Sequence, residues 1–408
     1  MGWLPSCRTR WRSPRERERG RGTAGWIGLL VMGGRLLAGT ETEGEAELDA
    51  VEDPLLDEGA LAELLEMSVP SVWTTTGAVR VGGGYRDNVL LSSVNPMAAG
   101  LVSAGGDFLL SRLPTDGTEV SAMVSGDYSH FVDVTAAEPE AIVLAQGEVK
   151  RDLGRRWLAG VRGQYVFLHQ VFDVSATEAD LTTVTARGHT VLLSPSLRKG
   201  WGQGWAVEGA LDGSWQYFES PLDPYWEAVP TVRFLREFGR RGELGLSYRL
   251  SQRWYDGRPP LAADGSELPG ELEFTAHELE LKGRWTWDET RRWSTQVRLG
   301  FVDNQDNGGG YFDYHRYSAG LQMRYRASSW SVRAEVRARW YDYAVQGSDG
   351  PGSELRHKTD LGFNVRGDYR LGRKWTLYAE YDREMTRDTM PLSDYHANGV
   401  SLGVELEL

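Results

Sequence analysis

From Trp73 onward, apolar and polar side chains alternate with a period of two, in stretches well beyond the roughly five or six residues of an ordinary strand. The segment Trp330 to Tyr341 shows the pattern most plainly. Trp330, Val332, Ala334, Val336, Ala338 and Trp340 share one face, and Ser331, Arg333, Glu335, Arg337, Arg339 and Tyr341 share the other. Asp342 would come next on the apolar face, so that face is expected to stop at Trp340. Such a strand offers one side fit for hydrocarbon and one fit for water. A soluble sheet can use a few strands of this kind, but it has no need of a dozen or more at this length.

Sixteen such segments can be marked, at 74–85, 100–113, 119–132, 141–151, 156–173, 184–198, 204–218, 225–237, 243–255, 271–287, 292–302, 311–326, 330–344, 354–370, 375–384 and 397–408. Strands of roughly 9–11 residues suffice to cross a bilayer in a tilted barrel. The connections alternate in length. Pro114 to Gly117, Asp152 to Arg155, Asp288 to Arg291, Ala327 to Ser329 and Gly372 to Lys374 are short; Arg86 to Ala99, Val174 to Thr183, Asp256 to Gly270, Asp303 to Gly310, Gln346 to Ser353 and Met385 to His396 are longer. The expected fold is all-β: a closed antiparallel transmembrane β-barrel of about 16 strands over residues 73–408, with short turns in the periplasm and longer loops outside.

A tryptophan enters the new strand directly after a short turn at Trp157, Trp205, Trp293, Trp330 and Trp375. An indole at a water–lipid boundary keeps its ring in apolar surroundings and its N–H wet, so these five are the candidates for a membrane-interface girdle. A set of core tryptophans in the hairpins of a soluble β protein is the alternative.

The N-terminal residues read differently. Residues 1–38 carry eight Arg and two Glu, with the short apolar run Gly25 to Met32 and small-residue cleavage near Ala38, as a signal peptide for export would. Residues 39–72 are an acidic periplasmic linker, with one short amphipathic helix expected over Asp57 to Met67. No run of 18 apolar residues occurs, which excludes a helical membrane span. The single cysteine, Cys7, excludes an internal disulfide and a cysteine-based metal site. Residues 67–408 are slightly acidic, at −8, which argues against nucleic acid as a partner.

Parity assigns the charged face of the strands to the lumen. The candidate pore-lining residues are Arg298, Arg324, Arg333, Glu335, Arg337, Arg339, Arg366, Asp368, Arg370, Glu380 and Asp382. The same parity places Arg162, Arg233, Arg249, Arg253 and Arg284, with Asp127, Glu208, Asp212, Glu227, Glu278, Glu280, Asp360 and Glu384, on that face. These side chains must line water or pair with each other, because Arg at the midplane of the lipid face costs roughly 2–4 kcal/mol. Arginines concentrate from residue 249 to residue 370 and acids follow them, so opposed charged walls are expected across the lumen. A salt-bridged, plugged interior is the competing possibility.

Other chemistry finds little support. Gly399-Val400-Ser401-Leu402-Gly403 matches G-x-S-x-G, but it lies inside a strand, whereas a nucleophile elbow needs a strand, a sharp turn and a helix. The seven histidines have no metal-ligand spacing. Asp303 to Gly308 resembles the opening of a calcium loop, but Tyr314 stands where the bidentate Glu would be. No catalytic residue, cofactor or metal is expected.

Two segments carry a family resemblance. Gly83-Gly84-Tyr85-Arg86-Asp87-Asn88-Val89 is similar to the opening of the porin-like single-chain outer-membrane β-barrels of Gram-negative bacteria. The alternating strand Val400 to Leu408 resembles the C-terminal strand that the outer-membrane barrel assembly machinery reads, with Leu408 where an aromatic residue is usual. The resemblance implies a barrel in the outer membrane, surrounded by its lipid, and a porin-like channel for passive diffusion of small polar solutes or ions. A barrel serving export or assembly of a surface polysaccharide or protein, or a non-conducting structural barrel, would carry the same features.

Overall fold

Alternation along every strand, and short turns at every second connection, favour antiparallel neighbours, and a sheet of this width hides both edges by closing on itself. The computed structural model describes residues 72–408, apart from 133, 135–136, 174–182, 220–221, 240, 349–351 and 391–392. The expected signal peptide, Cys7 and the Asp57 to Met67 helix lie outside the described residues.

The chain forms sixteen strands: β1 (Trp73–Arg86), β2 (Ala99–Arg112), β3 (Thr118–Val132), β4 (Glu140–Gly154), β5 (Trp157–Asp173), β6 (Thr183–Gly200), β7 (Trp205–Phe218), β8 (Tyr225–Glu237), β9 (Gly242–Tyr255), β10 (Glu273–Thr286), β11 (Trp293–Asp306), β12 (Tyr314–Arg326), β13 (Trp330–Gly347), β14 (Leu355–Arg370), β15 (Trp375–Asp388) and β16 (Tyr395–Glu407). Each pairs antiparallel with its sequence neighbours, and β1 pairs with β16 from Ala78↔Glu407 to Arg86↔Gly399, which closes the barrel. Short turns gather at one end, where β1 begins and β16 finishes.

Ion pairs that skip a strand identify the interior. Arg80 on β1 meets Asp127 on β3 at 2.7 Å, Arg366 on β14 meets Glu405 on β16 at 3.4 Å, and Arg316 on β12 meets Glu278 on β10 at 4.0 Å. Alternate strands stand roughly 10 Å apart. Their side chains converge only on the concave side of a curved sheet, so this face is the inside.

Three strands run further toward the long loops than the alternation indicates. β11 continues to Asp306, β13 to Gly347 and β15 to Asp388, so Asp303 to Asp306 belong to a strand and not to a loop. The apolar outer face of β13 does stop at Trp340, and Asp342 beyond it is exposed and bonded to His357 at 2.8 Å. The hydrogen-bonded ladder outlasts the apolar face, because a strand standing in water needs no hydrocarbon-grade side.

Two apolar clusters sit under the long loops. Val89 and Leu90, in the loop after β1, pack with Ala99, Phe131, Ala137 and Val171; Tyr225, Tyr255, Leu272, Phe274 and Phe312 form the other. These loops are therefore packed onto the strand ends.

Candidate functional site

Every candidate pore-lining residue falls on the inner face by strand register. On β11 and β12 these are Arg298 and Arg324; on β13, Arg333, Glu335, Arg337 and Arg339; on β14, Arg366, Asp368 and Arg370; on β15, Glu380 and Asp382. The wider set shares that face, as shown by the pairs Arg253–Glu227 at 2.9 Å, Arg249–Glu278 at 2.5 Å, Arg233–Glu208 at 3.6 Å and Arg162–Asp212 at 4.0 Å.

The register also produces a feature that residue parity alone does not reveal. Arg324 lies directly opposite Arg333, and Arg333 directly opposite Arg366, so three guanidinium groups stand in one row across β12, β13 and β14. Like charges directly opposite in a sheet destabilise it. At one end of the row, carboxylates offset this cost: Arg366 meets Asp368 at 2.8 Å, Glu380 at 3.9 Å and Glu405 at 3.4 Å. In the middle, Arg333 is exposed, so water screens it.

The next inward positions along β13 are Glu335 and Arg337. Glu335 lies opposite Gln322 and Asn364, and Arg337 lies between Gly320 and Gly362. The two side chains bond each other at 2.6 Å, yet that of Arg337 keeps 39% of its exposure. Water therefore reaches the arginine-bearing wall inside the barrel.

The long-loop end of the same wall is dry. Arg356 donates to both carboxylate oxygens of Asp388 and to Gln346 at 3.0 Å, and the Asp388 side chain has no exposure. Lys358, also buried, meets Asp360 at 3.3 Å and lies 5.3 Å from the Tyr341 ring. Neither cation is among the sequence candidates. Both share the inward parity of Asp360, but above Trp340 the outer face turns polar, and alternation loses the contrast that separates the two faces. Arg80 and Arg86 are further inward charges outside the candidate set. Arg80 pairs with Asp107 and Asp127, and Arg86 reaches Glu140 at 3.7 Å and Glu384 at 3.6 Å.

The Gly83 to Val89 motif has a structural explanation at the seam. Asp87 accepts from the backbone and side-chain nitrogens of Asn398, each at 2.6 Å, and Asn88 donates to the carbonyls of Ser92 and His396. Burial opposes the charge on Asp87, but the bonds from Asn398 outweigh it and hold the carboxyl below its usual range. The motif therefore ties the first long loop to the start of β16.

The outer face is an apolar surface that includes Val81, Val102, Leu193, Leu211, Phe234, Leu299, Val336 and Leu402, all exposed. Trp157, Trp205, Trp293, Trp330 and Trp375 are the first residues of β5, β7, β11, β13 and β15, and all five are exposed at the short-turn end. Ser401 lies within β16, between Glu380 and Gly84, with none of the sharp turn a nucleophile elbow requires. The Asp306 carboxylate accepts from the backbone nitrogens of Gly308, Gly310 and Phe312, so it orders its own turn.

No family model matches the chain, and no curated protein matches it in sequence. Among solved structures, it is similar to OccAB4 of Acinetobacter baumannii, with 10% identity over 82% of this chain and 98% of that one, at a TM-score of 0.46. OccK9 (OpdG) of Pseudomonas aeruginosa shows 10% identity over 82% and 98%, at 0.42. An anion-selective porin from Comamonas acidovorans shows 11% identity over 82% and 99%, at 0.41. The class of protein is set by the barrel itself: a closed, sixteen-stranded antiparallel β-barrel with an apolar exterior and a charged interior.

Proposed function

We propose that the protein is an outer-membrane β-barrel of a Gram-negative cell envelope, and that its interior is a passive channel for small polar solutes or ions with a preference for anions. The exterior supports membrane insertion, because an apolar surface of this extent is stable only against lipid or protein. The alternating β16 strand supports delivery by the barrel assembly machinery. Short turns then face the periplasm.

The observation that carries the channel is the Arg324–Arg333–Arg366 row. A row of like charges weakens the sheet that holds it, and a plugged interior would cover its middle guanidinium, that of Arg333, and match it with a buried carboxylate, as the Arg356–Asp388 pair does. Arg333 instead presents its positive charge to water, beside an Arg337–Glu335 pair that is itself partly exposed. Such a wall draws anions within a Debye length, about 8 Å at physiological salt. Purified protein added to planar bilayers should give stepwise conductance increases. Protein that inserts into the bilayer and never conducts would contradict the channel.

A further inference from the structure

The outer face of β6, β7, β8 and β9 is hollow. Pro195, Leu197, Leu211, Pro230, Val232 and Leu250 wall an apolar depression of about 650 Å³ with Gly209 on its floor. The depression is shallow and open, as a site for a chain lying along the surface would be. A Cβ placed on Gly209 would meet nothing within 4 Å, so the hollow is real space beside the backbone. Both prolines stand in mid-strand, where each removes a ladder donor: Pro195 is absent from the β6–β7 register and Pro230 from the β8–β9 register. Prolines are rare in such positions.

Two cations border the hollow on its short-turn side. Lys199 is the next outward position after Leu197, with its Nζ 4.7 Å from the Trp157 ring centre and 2.7 Å from the Arg155 carbonyl oxygen. Arg236 follows Val232 and Phe234 along the outer face of β8, lies 4.9 Å from the Trp205 ring centre, and donates to the Gln203 carbonyl. Ring faces and carbonyls hold both charges in place without neutralising them, and no ion pair to a carboxylate is found for either among the described residues.

Resting on the membrane insertion proposed above, we infer that this hollow with its Lys199–Arg236 rim binds an anionic glycerophospholipid, one acyl chain lying over Gly209 and the anionic headgroup at the basic rim. The charge complementarity selects this occupant: a neutral apolar surface would satisfy the hollow but leave the cations without a partner, whereas a phospholipid at the membrane boundary supplies chain and anion together. Each basic group near an anionic lipid surface adds roughly 1 kcal/mol, so two predict a preference of roughly thirtyfold.

The test is native mass spectrometry of the folded protein released from mixed micelles containing palmitoyl-oleoyl phosphatidylglycerol and palmitoyl-oleoyl phosphatidylcholine. Wild type should retain the anionic lipid roughly thirtyfold better. Lys199→Gln with Arg236→Gln should bring phosphatidylglycerol down to the phosphatidylcholine level. Gly209→Leu, which fills the floor, should lower retention of both. Arg373→Gln with Lys374→Gln, on the distant β14–β15 turn, should change neither. Equal loss in that control would show diffuse attraction to a basic rim and overturn the site, as would retention unaltered by the first two variants. A doubled mass abolished by Gly209→Leu would make a second copy of the chain the occupant and overturn the lipid. Insertion into phosphatidylcholine vesicles, measured on the same samples, separates the outcomes: protein that inserts without lipid preference loses only this site, and protein that never inserts loses the membrane barrel as well.

Discussion

Arginine does two different things in two regions of this barrel. Near the long loops, Arg356 is almost fully buried, bonded to a carboxylate that has no exposure at all. In the middle of the same wall, Arg333 faces an arginine on each side and is exposed. The first arrangement is one a fold needs in order to bury a charge. The second weakens the fold and makes sense only if water and solutes reach it. Residue type and strand are therefore poor guides to role; burial and cross-strand partner decide.

The contrast can be broken most severely at the dry end. Arg356→Met leaves Asp388 buried without its partner, and loss of one member of a buried pair costs about 3–5 kcal/mol. Denaturant unfolding should show a loss of this order, with no change in the ion preference of the protein that remains folded. A stable variant would mean that water enters the long-loop end.

The next effect compares the two faces of β13. Val336→Arg places a charge on the outer face, where lipid exposure costs roughly 2–4 kcal/mol. Arg337→Val, one residue on, breaks a partly exposed pair with Glu335, which costs at most about 1 kcal/mol, so the barrel should still fold. Heat-modifiable migration in cold SDS gels reads both. Loss for Arg337→Val with retention for Val336→Arg would mean that the faces are exchanged.

A smaller effect belongs to the seam. The depressed Asp87 carboxyl favours the folded clasp at pH values above its ordinary 3.8, and that contribution is lost as pH falls through the lower folded value. Amide exchange at Asn398, whose N–H donates to Asp87, should lose protection in acid, and that acid-induced loss should vanish in Asp87→Asn. Equal acid sensitivity in the variant would assign the change to another group.

Most of the fold was legible because lipid and water impose opposite demands on alternate residues. Val336 and Arg337 could be assigned to opposite faces from the sequence, as could the inward charges from Arg162 to Glu384. The legibility fails where that contrast fails. Asp342 and His357 stand on the polar outer face of the strand ends, so the inward neighbours Arg356 and Lys358 gave no signal. Val89 and Leu90 look like loop residues, and only the packing against Phe131 and Val171 shows them as core. The arginine row was hidden for a different reason: parity gives the face of a residue, but its cross-strand partner depends on register.

The central claim is that Arg333, with Arg324 opposite it and Arg337 further along its strand, faces conducting water. Reversal potentials in a KCl gradient across planar bilayers test it most directly, comparing wild type with a variant carrying Arg324→Gln, Arg333→Gln and Arg337→Gln. Wild type should favour chloride, and the variant should shift toward potassium, most clearly at low salt where screening is weakest. A conducting wild type whose selectivity the three substitutions leave unmoved would contradict the account.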